Sequence, residues 1–212
     1  VLLAAMARRD VAVALSGDGG DELFGGYDRY VRLARAQPLA ALPAPLGRGL
    51  VGAARATGRA LPAAARRART VERVGHAVAA GGTLGLYRSI ASLWEQPAEV
   101  VIGGREAPSA FDGPPWPRRG DLVRRAMGLD ATTYLPDDVL VKVDRATMAV
   151  GLEARVPLLD PRVVTWARTW ARPGTDGALG TKAPLRRVLA RRVPPALWDR
   201  PKMGFGAPVA GW

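Results

Sequence analysis

A chain of 212 residues, 48% hydrophobic and 24% charged, is long enough to bury a core and too apolar to stay disordered. It has no cysteine, which excludes disulfides, thiolate zinc sites and a cysteine nucleophile within it, and it has no apolar run of the roughly 18 residues that span a bilayer. The net charge of +12 invites a nucleic-acid partner, but lysine stands only at 142, 182 and 202, and the remaining positive charge is arginine scattered through alanine-rich sequence. The one dense cluster, Arg66, Arg67 and Arg69, lacks the aromatic neighbours that a single-strand binder stacks on, so it reads as a solvated helix face. Neither nucleic acid nor membrane is expected as a partner.

The chain opens on Val1 rather than Met, so it is expected to start inside a longer polypeptide. Val1 to Met6 is followed at once by Arg8, Arg9 and Asp10, unlike the pattern of a secretory leader, and the absence of cysteine leads to the expectation of a cytoplasmic location. Val1 to Arg9 reads as the end of a helix. Val11 to Leu15 (VAVAL) is a short apolar run with β-branched residues, the pattern of a fully buried strand in a parallel sheet. A glycine turn, Ser16 to Gly20, and a helical stretch, Asp21 to Ala36, complete one unit of an α/β sheet. No second strand of that quality follows.

Pro38 to Pro62 reads as broken helices and loops, and Ala63 to Ala80 and Thr83 to Trp94 as helices. The Pro/Gly-rich stretch from Ala107 to Gly120 is a loop that closes an N-terminal lobe. Asp121 to Leu135, with Asp at its cap, and Asp138 to Leu152 are further helices, the second with Val139, Val143, Met148 and Leu152 as core positions. Asp160 to Trp170 and Lys182 to Arg192 follow. There is no internal repeat, and the chain is expected to be predominantly α-helical with one buried strand at about 11–15.

Three blocks carry residues suited to chemistry. The first, Ser16-Gly17-Asp18-Gly19-Gly20-Asp21-Glu22-Leu23-Phe24-Gly25-Gly26-Tyr27, places glycines where a ligand can approach backbone N–H groups at a helix start. Its three acidic side chains would repel phosphates unless one or more holds Mg2+, which takes carboxylate and phosphate oxygens together. Capping of the helix dipole by Asp21 and Glu22 accounts for the same residues equally well. A GxGxxG fingerprint fails because Glu22 stands at the third glycine, and no GxxxxGK[ST] occurs.

The second block runs from Tyr134 through Lys142, Asp144 and Arg145 to Glu153-Ala154-Arg155-Val156-Pro157 and Asp160. Charged residues interleaved with apolar ones need partners at the edge of a core. Lys142 and Asp144 are too close to face each other on a helix, and Glu153 with Arg155 reads as a buried pair that orders a loop. The third block, Asp199-Arg200-Pro201-Lys202-Met203-Gly204, holds a lysine on a constrained loop, where it is either a point charge for phosphate or a surface residue.

Together SGDGGDELFGGY, LPDDVLVKVDRATMAVGLEARVPLLD, KAPLRRVL and DRPKMGFGAPVAGW resemble, in order, the C-terminal synthetase domain of glutamine-hydrolysing asparagine synthetases. The resemblance spans residues 1–212 but is nearly silent from about 38 to 120. It implies an α/β parent with an adenine nucleotide α-hydrolase-like parallel sheet, ATP and Mg2+ as cofactors, and amidation of aspartate through β-aspartyl-AMP. It implies glutamine-derived ammonia, made by an N-terminal glutaminase domain of the same parent chain, and leaves a homodimer open.

Carried over by position, Ser16, Gly17 and Gly19 bind nucleotide and Asp21 holds Mg2+ on the pyrophosphate. Asp18 and Lys202 are catalytic, in adenylate formation and acyl transfer, and Glu22, Glu153 and Arg155 support the site wall. The family's SGGxDS loop is expected ahead of Val1, so the stretch alone should be inactive. Relatives of β-lactam synthetase or peptide cyclase type share this ATP site and act on other carboxylates; a helical binding module without activity is the reading from another class.

Overall fold

The structure, a computed structural model, describes residues 1–79, 81–92, 100–104, 108–109, 121–170 and 182–199. Helix α1 (Leu2–Arg8) leads into strand β1 (Val13–Leu15), and α2 (Gly20–Phe24) and α3 (Asp28–Ala36) follow. A helical body of α4 (Ala44–Ala60), α5 (Ala65–Ala79), α6 (Gly82–Ala91) and α7 (Leu122–Thr132) comes next. A π-helical turn (Leu135–Leu140) feeds α8 (Val141–Met148), then strand β2 (Glu153–Arg155), α9 (Pro161–Thr169), α10 (Ala183–Ala190) and α11 (Pro195–Trp198). Among the described residues no helix is long and apolar enough to cross a membrane.

Two expectations about the sheet are corrected. β1 has a partner: β2 runs parallel to it, with Val13 opposite Glu153, Ala14 opposite Ala154 and Leu15 opposite Arg155. The ladder is extended by the N–H of Glu153 on Ala12 O (3.0 Å) and of Ser16 on Arg155 O (2.8 Å). Glu-Ala-Arg escapes a search for apolar runs because backbone pairing alone defines it. Nor is β1 buried: Leu15 is 75% exposed, and α1, which precedes it in the chain, buries only Ala4 while Leu2 stands 84% exposed. A two-stranded sheet covers neither its faces nor its outer edges, so apolar residues suited to a sheet interior lie open on this side.

The helices are read correctly in kind and moved in extent. The stretch Asp21–Ala36 is two helices, because Gly25 in the left-handed region (φ 71°) ends α2 and Tyr27 restarts the chain. Asp121 and Asp160 cap α7 and α9, accepting from the N–H groups of Arg124 (2.9 Å) and Arg162 (2.8 Å). Of the four core positions expected in Asp138–Leu152, Leu152 is buried, Val139 and Val143 are half-buried, and Met148 is exposed, since the helix ends at Met148 and the chain turns at Gly151 (φ 66°). The loop expected from Ala107 to Gly120 lies almost wholly outside the described residues.

The glycine-rich stretch after Pro38 is the largest surprise, forming one helix of 17 residues where broken helices were expected. Gly47 explains why glycine is there. A Cβ built on it would stand 2.4 Å from the backbone N of Ala79 and 2.6 Å from Gly75 O, so α4 and α5 touch backbone to backbone. Gly49, on the same helix, faces open space. Gly47→Ala is therefore expected to lose about 1–3 kcal/mol by overpacking. Gly49→Ala should gain about 0.5–1 kcal/mol from helix propensity. Urea denaturation of the two variants side by side checks the opposite signs.

The core joins Tyr30 and Leu33 of α3, Ala77 of α5, Leu86 and Tyr87 of α6, and Ala126, Met127 and Leu129 of α7. Buried at its centre is Asp130, which accepts from Arg29 Nε (3.0 Å), from the Tyr30 hydroxyl (2.5 Å) and from the Tyr87 hydroxyl. Arg29 Nη2 lies 2.9 Å from the same carboxylate but off the donor line, so that contact is one of charge rather than a hydrogen bond. The guanidinium also lies over the rings of Tyr27 (4.1 Å) and Tyr134 (4.5 Å). This network ties α3, α6 and α7 together next to α2.

Candidate active site

The first block forms a turn that links β1 to α2. The Ser16 hydroxyl donates to Asp18 Oδ2 (2.5 Å), and the N–H of Gly20 closes the turn on Gly17 O (3.2 Å). Gly19 adopts φ 82°, and a Cβ there would lie 2.4 Å from Leu159 Cδ2, so both its backbone and the close approach of the Pro157–Leu159 turn require glycine. At the other end of α2 the N–H groups of Gly25 and Gly26 both fall on Asp21 O (2.9 and 3.0 Å). Glycines thus bracket a helix of five residues and leave Asp21 on its first turn.

The structure brings most of the singled-out blocks to this turn. Ser16, Gly17, Asp18, Gly19 and Asp21 lie in one continuous stretch at the C-terminal end of β1. Through Ser16 N and Arg155 O, the end of β2 is bonded to the start of the turn. Leu158 and Leu185 face Gly20 from the second and third stretches of the resemblance. Phe24 anchors α2 against Trp166 of α9, with ring centroids 6.1 Å apart.

Two support residues differ from expectation. Glu153 and Arg155 do pair, Nε to Oε1 at 2.7 Å, but both are exposed, because among the described residues the sheet has only two strands and no further one beside β2 to cover them. The hydrogen bond to Glu153 raises the Arg155 pKa further. Lys142 pairs with Asp138 one turn back (3.4 Å), an exposed contact away from Asp144. Lys202, with Arg200 to Trp212, lies outside the described residues.

Glu22 turns the opposite way from Asp21. It is buried, and the Tyr27 hydroxyl donates to its Oε1 at 2.6 Å. Burial raises its pKa, with that hydrogen bond pulling in the other direction. It lines a cleft of about 290 Å³ between α2, α7 and α9, shared with Leu23, Met127, Leu135, Ala167 and Trp170. Glu22 therefore joins α2 to the polar network around Asp130 rather than to the turn.

A further residue meets the site that no motif marked as chemical: Lys182. Its Nζ lies 2.9 Å from Asp21 Oδ2, and its backbone N–H donates to Phe24 O (3.2 Å). A signal was present in the sequence, since Lys182 is one of three lysines in a chain whose positive charge is otherwise arginine.

The donor set suits a hard divalent cation shared with a ligand, not a closed cage. Among the described residues there is no group of three or more His, Cys, Asp or Glu side chains poised for a metal. Mg2+ needs no such group, because it keeps waters and phosphate oxygens and takes one or two carboxylates from protein. Asp21 offers one, beside an ammonium that already marks the position as a place for positive charge. Asp18, oriented by Ser16, offers another.

Open α/β sheets bind ligands at the C-terminal ends of their parallel strands; here a glycine turn follows β1, Asp21 lies on the first turn of α2, and Lys182, from the start of α10, reaches it. The chain belongs to the asparagine synthase family, whose model, "Asparagine synthase", matches residues 1–212. It is 36% identical over 214 residues to proteins of Mycobacterium bovis and Mycobacterium tuberculosis provisionally named glutamine-hydrolyzing asparagine synthetase, covering 97% of this chain. It is 28% identical over 224 residues to "Asparagine synthetase [glutamine-hydrolyzing] 1" of Bacillus subtilis, again over 97% of this chain. The chain spans 31% and 32% of the length of these relatives. No solved structure matches it significantly.

Proposed function

We propose that the protein carrying this chain is an ATP-dependent amide-forming synthetase that converts aspartate to asparagine. Family membership supports the reaction class, and the turn that packs Asp18, Asp21 and Lys182 beside the end of β1 is the observation that carries the assignment of the site. An aspartate β-carboxylate oxygen bonds to the α-phosphorus of ATP as the bond to pyrophosphate breaks, giving β-aspartyl-AMP. Ammonia then bonds to the β-carbonyl carbon as the bond to AMP breaks. The first step is needed because a free carboxylate has no good leaving group, whereas AMP leaves readily.

In this reading the backbone of Ser16 to Gly20 cradles phosphate oxygens. Asp21 would hold Mg2+, which supplies charge stabilisation to the departing pyrophosphate. Asp18, fixed by the Ser16 hydroxyl, faces the acyl phosphate, and Lys202 offsets its charge. Positioning and preorganised charge are the enzyme's contribution. Ammonia comes from glutamine through an N-terminal glutaminase domain, and the open apolar faces of α1 and β1 are the seat of further parallel strands of the parent sheet.

The test is pyrophosphate release by the full-length protein from ATP with aspartate, and then with glutamate, a β-amino acid or a peptide carboxylate in its place. Release that requires aspartate is the expected result. Release with another carboxylate and none with aspartate would move the protein to a β-lactam- or peptide-forming relative, and release with none would favour the inactive binding module.

A further inference from the structure

Lys182 is held beside Asp21 by three separate features. It is the single non-glycine among the described residues with positive φ (57°), a conformation that persists only where its surroundings over-determine it. Its N–H is tied to Phe24 O at the end of α2, and its carbonyl receives the N–H of Arg186 to start α10. Gly26 leaves the space both side chains need: a Cβ there would stand 2.1 Å from Lys182 Cε and 2.1 Å from Asp21 Oδ1. Strain, a backbone tie and a neighbour without a side chain all serve one contact, the ammonium on the carboxylate.

That contact bears on metal binding, and the inference rests on the reading of Asp21 as the metal-side carboxylate. An ammonium and a divalent cation repel each other on one carboxylate, and here the pair is about two-thirds withdrawn from solvent, where screening is weak. With Lys182 in place, Asp18 and Asp21 leave the turn a net charge of only −1, which weakens its hold on a bare divalent ion. A ligand that brings its own negative charge alters the sum, since the metal then arrives already neutralised.

We propose that Lys182 is a positioning residue that occupies Asp21 in the empty site. It holds the carboxylate in place and suppresses the binding of free metal, so that metal enters together with an anionic ligand. The probe is Mn2+ alone, without nucleotide, followed by the paramagnetic resonance of the free ion in the full-length protein. Lys182→Gln should bind free Mn2+ more tightly by about fivefold, the upper range for a partly exposed ion pair, and Lys182→Arg should restore weak binding. Adding Asp21→Asn to the Gln variant should remove the gain.

The outcomes separate the two readings. If Asp21→Asn leaves Mn2+ binding unchanged, the metal is not held at Asp21, and both the assignment and the latch fall. If Asp21→Asn abolishes binding while Lys182→Gln leaves it as in the parent, the latch alone falls. The unsubstituted protein gives a second readout, independent of any variant's folding. Mn2+ alone should leave the rate of Lys182 acetylation by an N-hydroxysuccinimide ester unchanged, because the ammonium keeps its carboxylate partner, and Mn2+ added together with ATP should change it several-fold. A rate shifted as strongly by Mn2+ alone overturns the proposal.

Discussion

Asp130→Ala is expected to destabilise the protein by about 3–5 kcal/mol, the cost of leaving one member of a buried ion pair without its partner. The Asp130 carboxylate is buried and serves Arg29, Tyr30 and Tyr87 at once. Removal strands a guanidinium on the edge of the core and takes a buried acceptor from the Tyr30 and Tyr87 hydroxyls. Burial first, and then the charge of Asp130, push the Tyr30 and Tyr87 hydroxyls far above the ordinary tyrosine range, so both remain neutral donors at any working pH. Domains of ordinary stability hold about 5–15 kcal/mol in reserve, so the variant should unfold at markedly lower urea. Adding Arg29→Ala should cost less than the sum of the two single changes, because the charge that the first leaves unpaired is gone. A loss below about 1 kcal/mol would show that water or a neighbour replaces Asp130.

The second large effect is on chemistry. Asp21→Asn in the full-length protein is expected to lower aspartate-dependent pyrophosphate release by about 10²–10³-fold, the usual result of removing one preorganised group from a developing charge. The fold should be nearly indifferent, since the Asp21–Lys182 pair is partly exposed and such pairs contribute about 0.2–1 kcal/mol. Rate and stability are thus predicted to part company, in contrast to Asp130. Release within about tenfold of the parent, or about 1.4 kcal/mol of barrier, would return Asp21 to the plain role of a residue near a helix start.

These two residues also show which parts of the molecule the amino-acid order discloses. The stretch from Ser16 to Gly26 is legible because three of its five glycines meet a demand of their own position: positive φ at Gly19 and Gly25, a close neighbour at Gly19 and Gly26. Local demands leave local signals. β2 leaves none, because Glu153, Ala154 and Arg155 pair with β1 through backbone groups while their side chains read as a polar loop. Lys182 leaves only the weak signal of being one of three lysines, for a related reason: what makes it part of the site is a partner on a remote stretch, and the strained backbone that aims it has no sequence signature in a lysine. The glycines of α4 mislead in the opposite sense, since a residue that weakens an isolated helix is what lets α4 and α5 touch. Asp130 gives no hint at all, standing in a helix whose other inward residues are apolar.

The central claim, that the turn at Ser16 to Asp21 serves adenylation of a carboxylate, is tested most directly by following oxygen. Aspartate labelled with oxygen-18 in its β-carboxylate is incubated with the full-length protein, ATP, glutamine and magnesium, and the AMP is analysed by mass spectrometry. If the aspartyl oxygen attacks the α-phosphorus, one labelled oxygen passes into each AMP as asparagine forms, and the Asp21→Asn variant yields little AMP of any kind. AMP or ADP without label, formed at the rate of asparagine production, would contradict the account, because the carboxylate would then have been activated by some route other than this turn.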